Sequence, residues 1–247
     1  NNKGIFLKGC APHNGNIKNT IIEIIRKIKN VCILDQIKTV GFTGNIDLEK
    51  VTIFDPVIAS VEANKYCQTK CRNILSIGCE NFYLIRLDKK YNYIDHIVNS
   101  DCASGTGGFI DQQAERLGFS TKKLAEMALE FNQSPPSIAT RCAVFAKSDI
   151  IHAQARGHSK QAICAGLCKG VARSVLANTL KGRQISGDIL FTGGMSLNQK
   201  IADELSKELG KKVIFPEDSL VFNAIGAAVL GDHSVKDIDG ILKGMNT

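Results

Sequence analysis

The sequence predicts a mixed α/β fold, and two patterns along its 247 residues carry that prediction. Segments with strand character alternate with amphipathic helical segments, which is typical of α/β proteins. In the middle of the chain, three strand-like segments follow one another at residues 73–77, 82–87 and 93–98, joined by tight turns. Consecutive strands with short turns form antiparallel meanders, so a purely parallel sheet is not expected.

The first part of the chain is expected to hold two short strands and two helices. Residues 4–8 and 38–42 have strand character, and the second segment stops at Thr43-Gly44-Asn45. Between them, isoleucines recur at helical spacing and predict an amphipathic helix. These are Ile17, Ile21, Ile24, Ile25 and Ile28. A second helix begins at Pro56, a residue type favoured in the first helical turn, and continues to about Tyr66.

Long helices follow the meander. Their predicted ranges are 106–117, 121–131, 143–156 and 159–180, and Pro135-Pro136 separates the second from the third. A buried strand at 188–191 ends in Thr192-Gly193-Gly194. A helix at 197–209, a strand at 212–215 and a last helix at 221–230, rich in small residues, complete the prediction.

The composition is that of an ordinary globular protein, with 44% hydrophobic and 22% charged residues. It excludes a disulfide-stapled miniprotein, a collagen-like repeat and a disordered chain. Aromatic residues make up only 6% with no tryptophan, and the net charge of +7 is spread along the chain. We therefore expect a solvated basic surface and no nucleic-acid partner. No apolar run reaches the roughly 20 residues of a membrane-spanning helix, so no membrane association is expected.

Nine cysteines are an unusual number for such a chain. The count is odd and no secretory hydrophobic segment is found, so we expect a cytoplasmic protein with reduced thiols, most of them buried. Cys164 and Cys168 share one helix face among apolar neighbours and are interpreted as core residues. Cys67 and Cys71 have the same spacing, and neither pair has the C-x₂-C spacing of zinc sites. Cys10, Cys32 and Cys79 have no evident partner, and the six cysteines other than Cys79, Cys102 and Cys142 are interpreted as packing residues.

Three glycine turns each follow or open a regular element. They are Gly78-Cys79-Glu80-Asn81, Gly105-Thr106-Gly107-Gly108 and Thr192-Gly193-Gly194. Glycine lets backbone N–H groups approach a phosphate, and a following helix offers its positive end. Neither a GxxxxGK[ST] nor a GxGxxG string is present, which disfavours P-loop and Rossmann sites. The three turns, with Gly226-Ala227-Ala228 in the last helix, predict a nucleotide held between two lobes.

Cys102 and Cys142 each directly precede a predicted helix. A helix N-terminus stabilises a bound anion, and a thiolate-ligated iron–sulfur cluster is such an anion. Four thiolates are the usual ligand set, so two cysteines per chain would require a two-fold dimer. A pair of unrelated buried thiols is the alternative, and spacing by itself favours it.

Four segments resemble one known family. Residues 99–110 (NSDCASGTGGFI) resemble the string N-D-x-C-A-A-G-T-G-x-F-L, and residues 142–149 (CAVFAKSD) resemble C-x-V-F-A-[EK]-[ST]-[ED]. Both strings belong to the ATP-dependent activators of 2-hydroxyacyl-CoA dehydratases and the related ATPase subunits of benzoyl-CoA reductase. Residues 192–198 are similar to the family's adenosine motif T-G-G-V-A-x-N. Residues 224–228 match its closing G-A-x-G-A-A, with Asn223 where the first glycine would fall.

The resemblance implies a ribonuclease-H-like, two-lobed ATPase fold shared with actin and sugar kinases. Residues 1–71 with 220–247 would form the first lobe, truncated at its N-terminus, and residues 72–219 the second. It also implies a homodimer that shares one [4Fe–4S] cluster through Cys102 and Cys142 of each chain. The implied cofactor is ATP or ADP with Mg²⁺, and binding and hydrolysis of ATP would drive one electron to a 2-hydroxyacyl-CoA dehydratase or benzoyl-CoA reductase-type partner. The implied nucleotide residues are Gly78, Glu80, Asn81, Gly105, Thr106, Gly107, Gly193, Gly194, Asn198 and Gly226.

Two departures from the family pattern concern the phosphate site. The family opens with a strand and a D-I-G-S-T-T turn, and this sequence contains no equivalent. The second phosphate turn, I-G-G-Q-D in the family, here has Cys79 for a glycine and neutral Asn81 for the carboxylate that helps to place Mg²⁺. Glu80 could substitute only from one position earlier. The sequence is therefore either a fragment missing its first strands or a domain whose ATPase has degenerated.

Three functions remain open at this point. The first is an iron–sulfur activator with reduced or lost ATPase activity. The second is a degenerate, non-hydrolysing domain that serves as a structural, regulatory or dimerisation module. The third is a sugar or amino-sugar kinase, which ranks last because no catalytic aspartate for a sugar hydroxyl is apparent.

Overall fold

A computed structural model of the protein describes residues 9–13, 15–31, 39–44, 52–99, 105–140, 142–181, 183 and 185–231. The chain forms two compact units, Asn1–Lys70 with Val221–Thr247 and Cys71–Leu220. The predicted strand at residues 4–8, Cys32 and Cys102 lie outside the described residues. No helix in the described part of the chain is both long enough and apolar enough to cross a bilayer.

The described residues of the first unit form three helices and one short parallel strand pair. Its elements are α1 (Ile17–Val31), β1 (Phe42–Thr43), β2 (Ile53–Phe54), α2 (Pro56–Tyr66) and, from the end of the chain, α8 (Phe222–Leu230). Asp55 begins α2 by accepting hydrogen bonds from the backbone N–H groups of Val57 (2.7 Å) and Ile58 (3.3 Å). This cap satisfies donors that have no partner inside the helix.

Helices α2 and α8 cross in very close contact. A Cβ added to Gly226 would lie 1.7 Å from the carbonyl oxygen of Ala59, so only glycine fits there. Near this crossing, Ser60 Oγ donates to Asn223 Oδ1 over 2.7 Å. Gly226 is thus required by helix packing.

A five-stranded mixed sheet forms the centre of the second unit. Its strands are β3 (Asn73–Ile77), β4 (Phe82–Leu87), β5 (Tyr93–Val98), β6 (Ile189–Thr192) and β7 (Val213–Ile214), in the order β5-β4-β3-β6-β7. Strands β3, β4 and β5 pair antiparallel, whereas β6 pairs parallel with both β3 and β7. The predicted meander is confirmed.

In the described part of the second unit, five α-helices accompany this sheet. They are α3 (Gly107–Arg116), α4 (Thr121–Glu130), α5 (Ala143–Ala155), α6 (Lys160–Leu180) and α7 (Gln199–Leu209). Helix α6 contributes to the core along most of its length, which accounts for its apolar composition. The buried ammonium group of Lys200, on α7, donates to the carbonyl oxygen of Phe131 over 3.0 Å and thereby satisfies the end of α4.

Several element boundaries differ from the prediction by one residue, and two elements differ from it more clearly. Of the predicted strand at 38–42, Lys38 lies outside the described residues; the observed strand is Phe42–Thr43, and its partner β2 was not predicted. Strands of two residues are too short to show a hydrophobic period, so pattern analysis misses them. The helix predicted to begin at Leu197 begins at Gln199, because Gly194–Leu197 form a 3₁₀ turn and Asn198 caps α7.

Candidate nucleotide turns and the Cys142 loop

The turn after β3 is hydrogen-bonded to the start of α3. Gly78 N donates to Asn81 O (2.8 Å) and closes the turn, while Gly107 N and Gly108 N donate to Gly78 O (2.8 Å) and Cys79 O (2.7 Å). A Cβ on Gly107 or Gly108 would lie 2.9 Å from those same carbonyl oxygens. The glycines therefore permit a close backbone contact, and two N–H groups at the α3 start are already engaged within the chain.

The three residues at which this turn departs from the family string are exposed. They are Cys79, Glu80 and Asn81. The pKa of the Cys79 thiol is raised, first by desolvation and then by the carboxylates of Asp111 and Glu80. The thiol is therefore protonated at neutral pH, and the turn has a negative environment. Such an environment favours a cation and disfavours a bare phosphate.

Asn99 connects the other side of the same turn to the end of β5. Its side-chain Oδ1 accepts from Phe82 N (2.9 Å), and its Nδ2 donates to Glu80 O (3.4 Å). Asn99 is the first residue of the motif that contains Cys102, and it is not among the predicted nucleotide residues. Its position in that motif is the signal that could have identified it.

Gly105 and Thr106 lie buried directly before α3. Gly105 has φ +89°, a left-handed conformation that favours glycine, and a Cβ there would lie 3.3 Å from a methyl group of Val175. Thr106 is the extended N-cap residue of α3. Both residues therefore set the path by which the chain enters the helix.

The turn after β6 lies beside the end of β3. Gly193 has φ +84°, and a Cβ there would lie 2.5 Å from the carbonyl oxygen of Ile77. Because β3 and β6 are parallel, the turns that contain Gly78 and Gly193 meet at the carboxyl edge of this pair. Ligands of open α/β sheets bind at such edges. The structure thus brings together Gly78, Gly107 and Gly193, while Gly226 belongs to the other unit.

Thr192, Gly194 and Asn198 have three different environments around this turn. Thr192 is fully buried, and its Oγ1 is the only buried side-chain nitrogen or oxygen atom in the described part of the chain that has no hydrogen-bond partner. Gly194 is exposed, and a Cβ added to it would have no heavy atom within 4 Å. Asn198 is buried, accepts from Ile201 N (3.2 Å) and donates to Cys168 Sγ (3.6 Å).

Cys142 occupies the N-cap position of α5. Its backbone is extended (φ −151°, ψ 130°), its side chain is half-buried, and its carbonyl oxygen accepts the first helical bond from Ala146 N (3.0 Å). The helix N-terminus therefore lies directly beside the thiol. Within the described ranges, which omit Cys102, no group of three or more His, Cys, Asp or Glu residues could hold a metal ion.

Comparison with known proteins identifies the family of this chain. Residues 47–231 match the model of the BadF/BadG/BcrA/BcrD ATPase family. The chain belongs to this family. The predicted membership is confirmed, and three quarters of the sequence carry it.

Two relatives of this family member illustrate the sequence similarity. The uncharacterized protein YjiL of Escherichia coli K12 is 36% identical over 162 residues, which are 66% of this chain and 62% of that protein. The activator of lactoyl-CoA dehydratase from Anaerotignum propionicum is 30% identical over 158 residues, which are 64% of this chain and 60% of that protein. The matched region thus spans about three fifths of these two relatives.

The fold of this chain is similar to that of a solved structure. The activator of the 2-hydroxyisocaproyl-CoA dehydratase from Clostridium difficile, with bound ADPNP, superposes with a TM-score of 0.78 at 22% identity. The match covers 96% of this chain and 86% of that one. The predicted α/β, ribonuclease-H-like ATPase fold is confirmed.

The remaining described cysteines of this ATPase-family chain divide by burial. Cys71, Cys164 and Cys168 are buried, and burial raises the pKa of Cys164 to about 11 and that of Cys168 to about 12. These three are inert core residues. Cys67 is half-buried, and Cys10 is exposed. The expectation that Cys10 is a packing residue is therefore wrong, because its segment leaves the side chain in solvent.

Proposed function

We propose that this chain holds an iron–sulfur cluster and a nucleotide, and that it acts as an ATP-dependent reductive activator of an acyl-CoA dehydratase or reductase partner. The observation that carries the proposal is the half-buried Cys142 thiol at the N-terminus of α5, inside the family's second cysteine motif. The lactoyl-CoA and 2-hydroxyisocaproyl-CoA dehydratase activators among its relatives support the choice of partner class.

The chemistry of the donor set fits a cluster. A thiol that is accessible at a positive helix end suits thiolate ligation of an anionic group, whereas Cys164 and Cys168 are too buried to take part. Cys142, together with Cys102 of the first motif, would supply two of the four ligands. When bound, an iron–sulfur cluster supplies a one-electron redox centre.

Three observations support a nucleotide at the carboxyl edge of β3 and β6. The turns containing Gly78 and Gly193 meet there, and α3 begins beside them. The buried Thr192 hydroxyl at the same edge lacks a hydrogen-bond partner within the described residues. The structurally similar activator was solved with bound ADPNP. Glu80 and Asp111 would offer carboxylate oxygens for the accompanying Mg²⁺.

The cluster is tested by anaerobic reconstitution with iron and sulfide. The wild type should bind iron and develop the broad brown absorption of thiolate-ligated iron. The single variants Cys102→Ala and Cys142→Ala should lose it, while the matched control Cys10→Ala, which removes an exposed cysteine, should retain it. Retention of iron and colour by the Cys142→Ala protein would contradict the proposal.

A second candidate function is a non-hydrolysing module that binds no nucleotide. The observation that favours it is the engagement of Gly107 N and Gly108 N by the carbonyl oxygens of Gly78 and Cys79, because donors used within the chain are not available to a phosphate. Calorimetric titration with Mg-ATP separates the two candidates. A dissociation constant below about 100 μM supports the activator, and no detectable binding supports the module.

A further inference from the structure

The loop between α4 and α5 is fixed against α6 at two glycines. A Cβ on Gly166 would lie 2.5 Å from the carbonyl oxygen of Pro136, and one on Gly170 would lie 2.8 Å from that of Ile138. Thr140 Oγ1 donates to the Gly170 carbonyl oxygen over 2.6 Å. Ile138 and Thr140 are both buried. The loop backbone therefore lies in a groove of α6 that larger residues would close.

A carboxylate on α5 also accepts a hydrogen bond from the backbone of this loop. Asp149 Oδ2 accepts a hydrogen bond from the backbone N–H of Ala139 over 2.7 Å. This bond links residue 139 to residue 149, and Cys142 lies on the stretch of chain between them. A charged acceptor makes such a bond shorter and stronger than one between neutral groups. The path of the chain into Cys142 is thus fixed by Asp149 on α5 and by the groove of α6.

We propose that Asp149 is the positioning residue for Cys142, holding the loop so that the thiol is presented at the start of α5. The inference rests on the proposed function, in which Cys142 ligates the cluster. Asp149 touches neither the thiol nor any reacting group; it acts through the backbone of residue 139. Groups that orient metal ligands in this way typically change metal affinity by about 10–100-fold when they are removed.

The first test uses the iron-free protein and does not depend on the cluster. Alkylation of Cys142 by iodoacetamide is followed by peptide mass spectrometry, with the exposed Cys10 as the internal reference. In the Asp149→Ala variant, the rate of alkylation of Cys142 relative to that of Cys10 should differ several-fold from the wild-type value. In Asp149→Asn, which keeps an acceptor oxygen, the relative rate should return to the wild-type value. The matched control is Asp203→Ala, which removes a half-buried carboxylate that accepts a hydrogen bond from Gln199 on its own helix.

The second test measures iron retention in reconstituted protein. Asp149→Ala should lose iron to a chelator about tenfold faster or more and should alter the paramagnetic resonance spectrum of the reduced protein, while Asp149→Asn stays near wild type. Should Asp149→Ala fail to fold, Thr140→Val gives the same comparison, because it removes the bond to Gly170 while keeping the side-chain shape.

The outcomes separate the inference from the proposed function. If Cys142 is alkylated at the wild-type rate in both Asp149→Ala and Thr140→Val, the positioning role is overturned. Unchanged iron binding in Cys142→Ala overturns the proposed function instead, whatever the alkylation rates show. A faster loss of iron in Asp203→Ala, equal to that in Asp149→Ala, also overturns the positioning role.

Discussion

At the residue scale, Thr192 places a buried hydroxyl at the end of β6 without a hydrogen-bond partner in the described part of the chain. A buried, unsatisfied hydroxyl costs about 1–3 kcal/mol, and native proteins contain few of them. Because this hydroxyl lies beside a candidate nucleotide turn, we predict that it hydrogen-bonds to the nucleotide. Gly193 in the same turn is instead explained by its close approach to Ile77.

The variant Thr192→Val tests that role. It keeps the side-chain shape and removes the unsatisfied oxygen, so the free energy of unfolding without nucleotide should stay equal or rise by about 1 kcal/mol. Saturating Mg-ATP, at about 100 times its dissociation constant, should stabilise the wild type by about 2.7 kcal/mol and the variant by less. Denaturant unfolding with and without Mg-ATP measures both quantities.

Thr179→Val is the matched control for this substitution. Thr179 is equally buried, but its hydroxyl donates to the Val175 carbonyl oxygen over 2.8 Å. Its replacement should leave the stabilisation by Mg-ATP unchanged. A Thr192→Val protein that is stabilised by Mg-ATP as much as the wild type would rule out a nucleotide role for the hydroxyl.

At the scale of elements, the packing of α8 against α2 and against the segment before β1 depends on residues without side chains. Gly226 faces the Ala59 carbonyl, and Gly41 faces the Ala227 carbonyl, where a Cβ would lie only 1.8 Å away. The resemblance to the family places Gly226 among the nucleotide residues, which stays a prediction. Its packing role follows directly from the contact with Ala59.

Gly226→Ala should therefore destabilise the first unit by about 3 kcal/mol, because helix backbones must separate to admit a methyl group. Chemical denaturation measures the loss, and hydrogen exchange locates it in α2 and α8. Gly9→Ala adds the same methyl group where no atom lies within 4 Å, so its effect should stay within about 0.5 kcal/mol. Wild-type stability of the Gly226→Ala protein would show that the two helices can move apart without cost.

At the scale of the whole molecule, the proposed cluster would require two chains. In that proposal one chain would offer Cys102 and Cys142, whereas a [4Fe–4S] cluster takes four thiolates. Val144 and Phe145, two and three residues after Cys142, expose large apolar side chains, with Phe145 64% exposed. Burial of such side chains in a symmetric pair would remove apolar surface from water.

Native mass spectrometry of the reconstituted protein should therefore give a dimer with four iron atoms. Replacing Phe145 by aspartate, which introduces charge beside Cys142, should reduce the dimer fraction and the iron content together. Ile58→Asp is the control, since Ile58 is similarly exposed on α2 of the other unit. Four iron atoms on a single chain would contradict the two-chain arrangement.

The sequence determined the fold class, the order of nearly all elements and the family. Helical spacing, the short turns of the meander and the cysteine motifs are local patterns, so they can be read without knowing what packs against them. The sequence also identified Cys142 as a residue at a helix start. It could not identify β2, whose two residues carry no period, or the 3₁₀ turn that delays α7.

Only the tertiary structure decided which partners the candidate residues have. Hydrogen bonds from Gly107 and Gly108 to the turn after β3, and from Ala139 to Asp149, join segments that lie apart in the sequence. The buried thiol of Cys168 and the contact between Gly226 and Ala59 likewise depend on how elements pack. Long-range contacts of this kind leave no periodic pattern in the sequence, which is why neither the packing contact of Gly226 nor the hydrogen bond from Ala139 to Asp149 could be predicted from motifs.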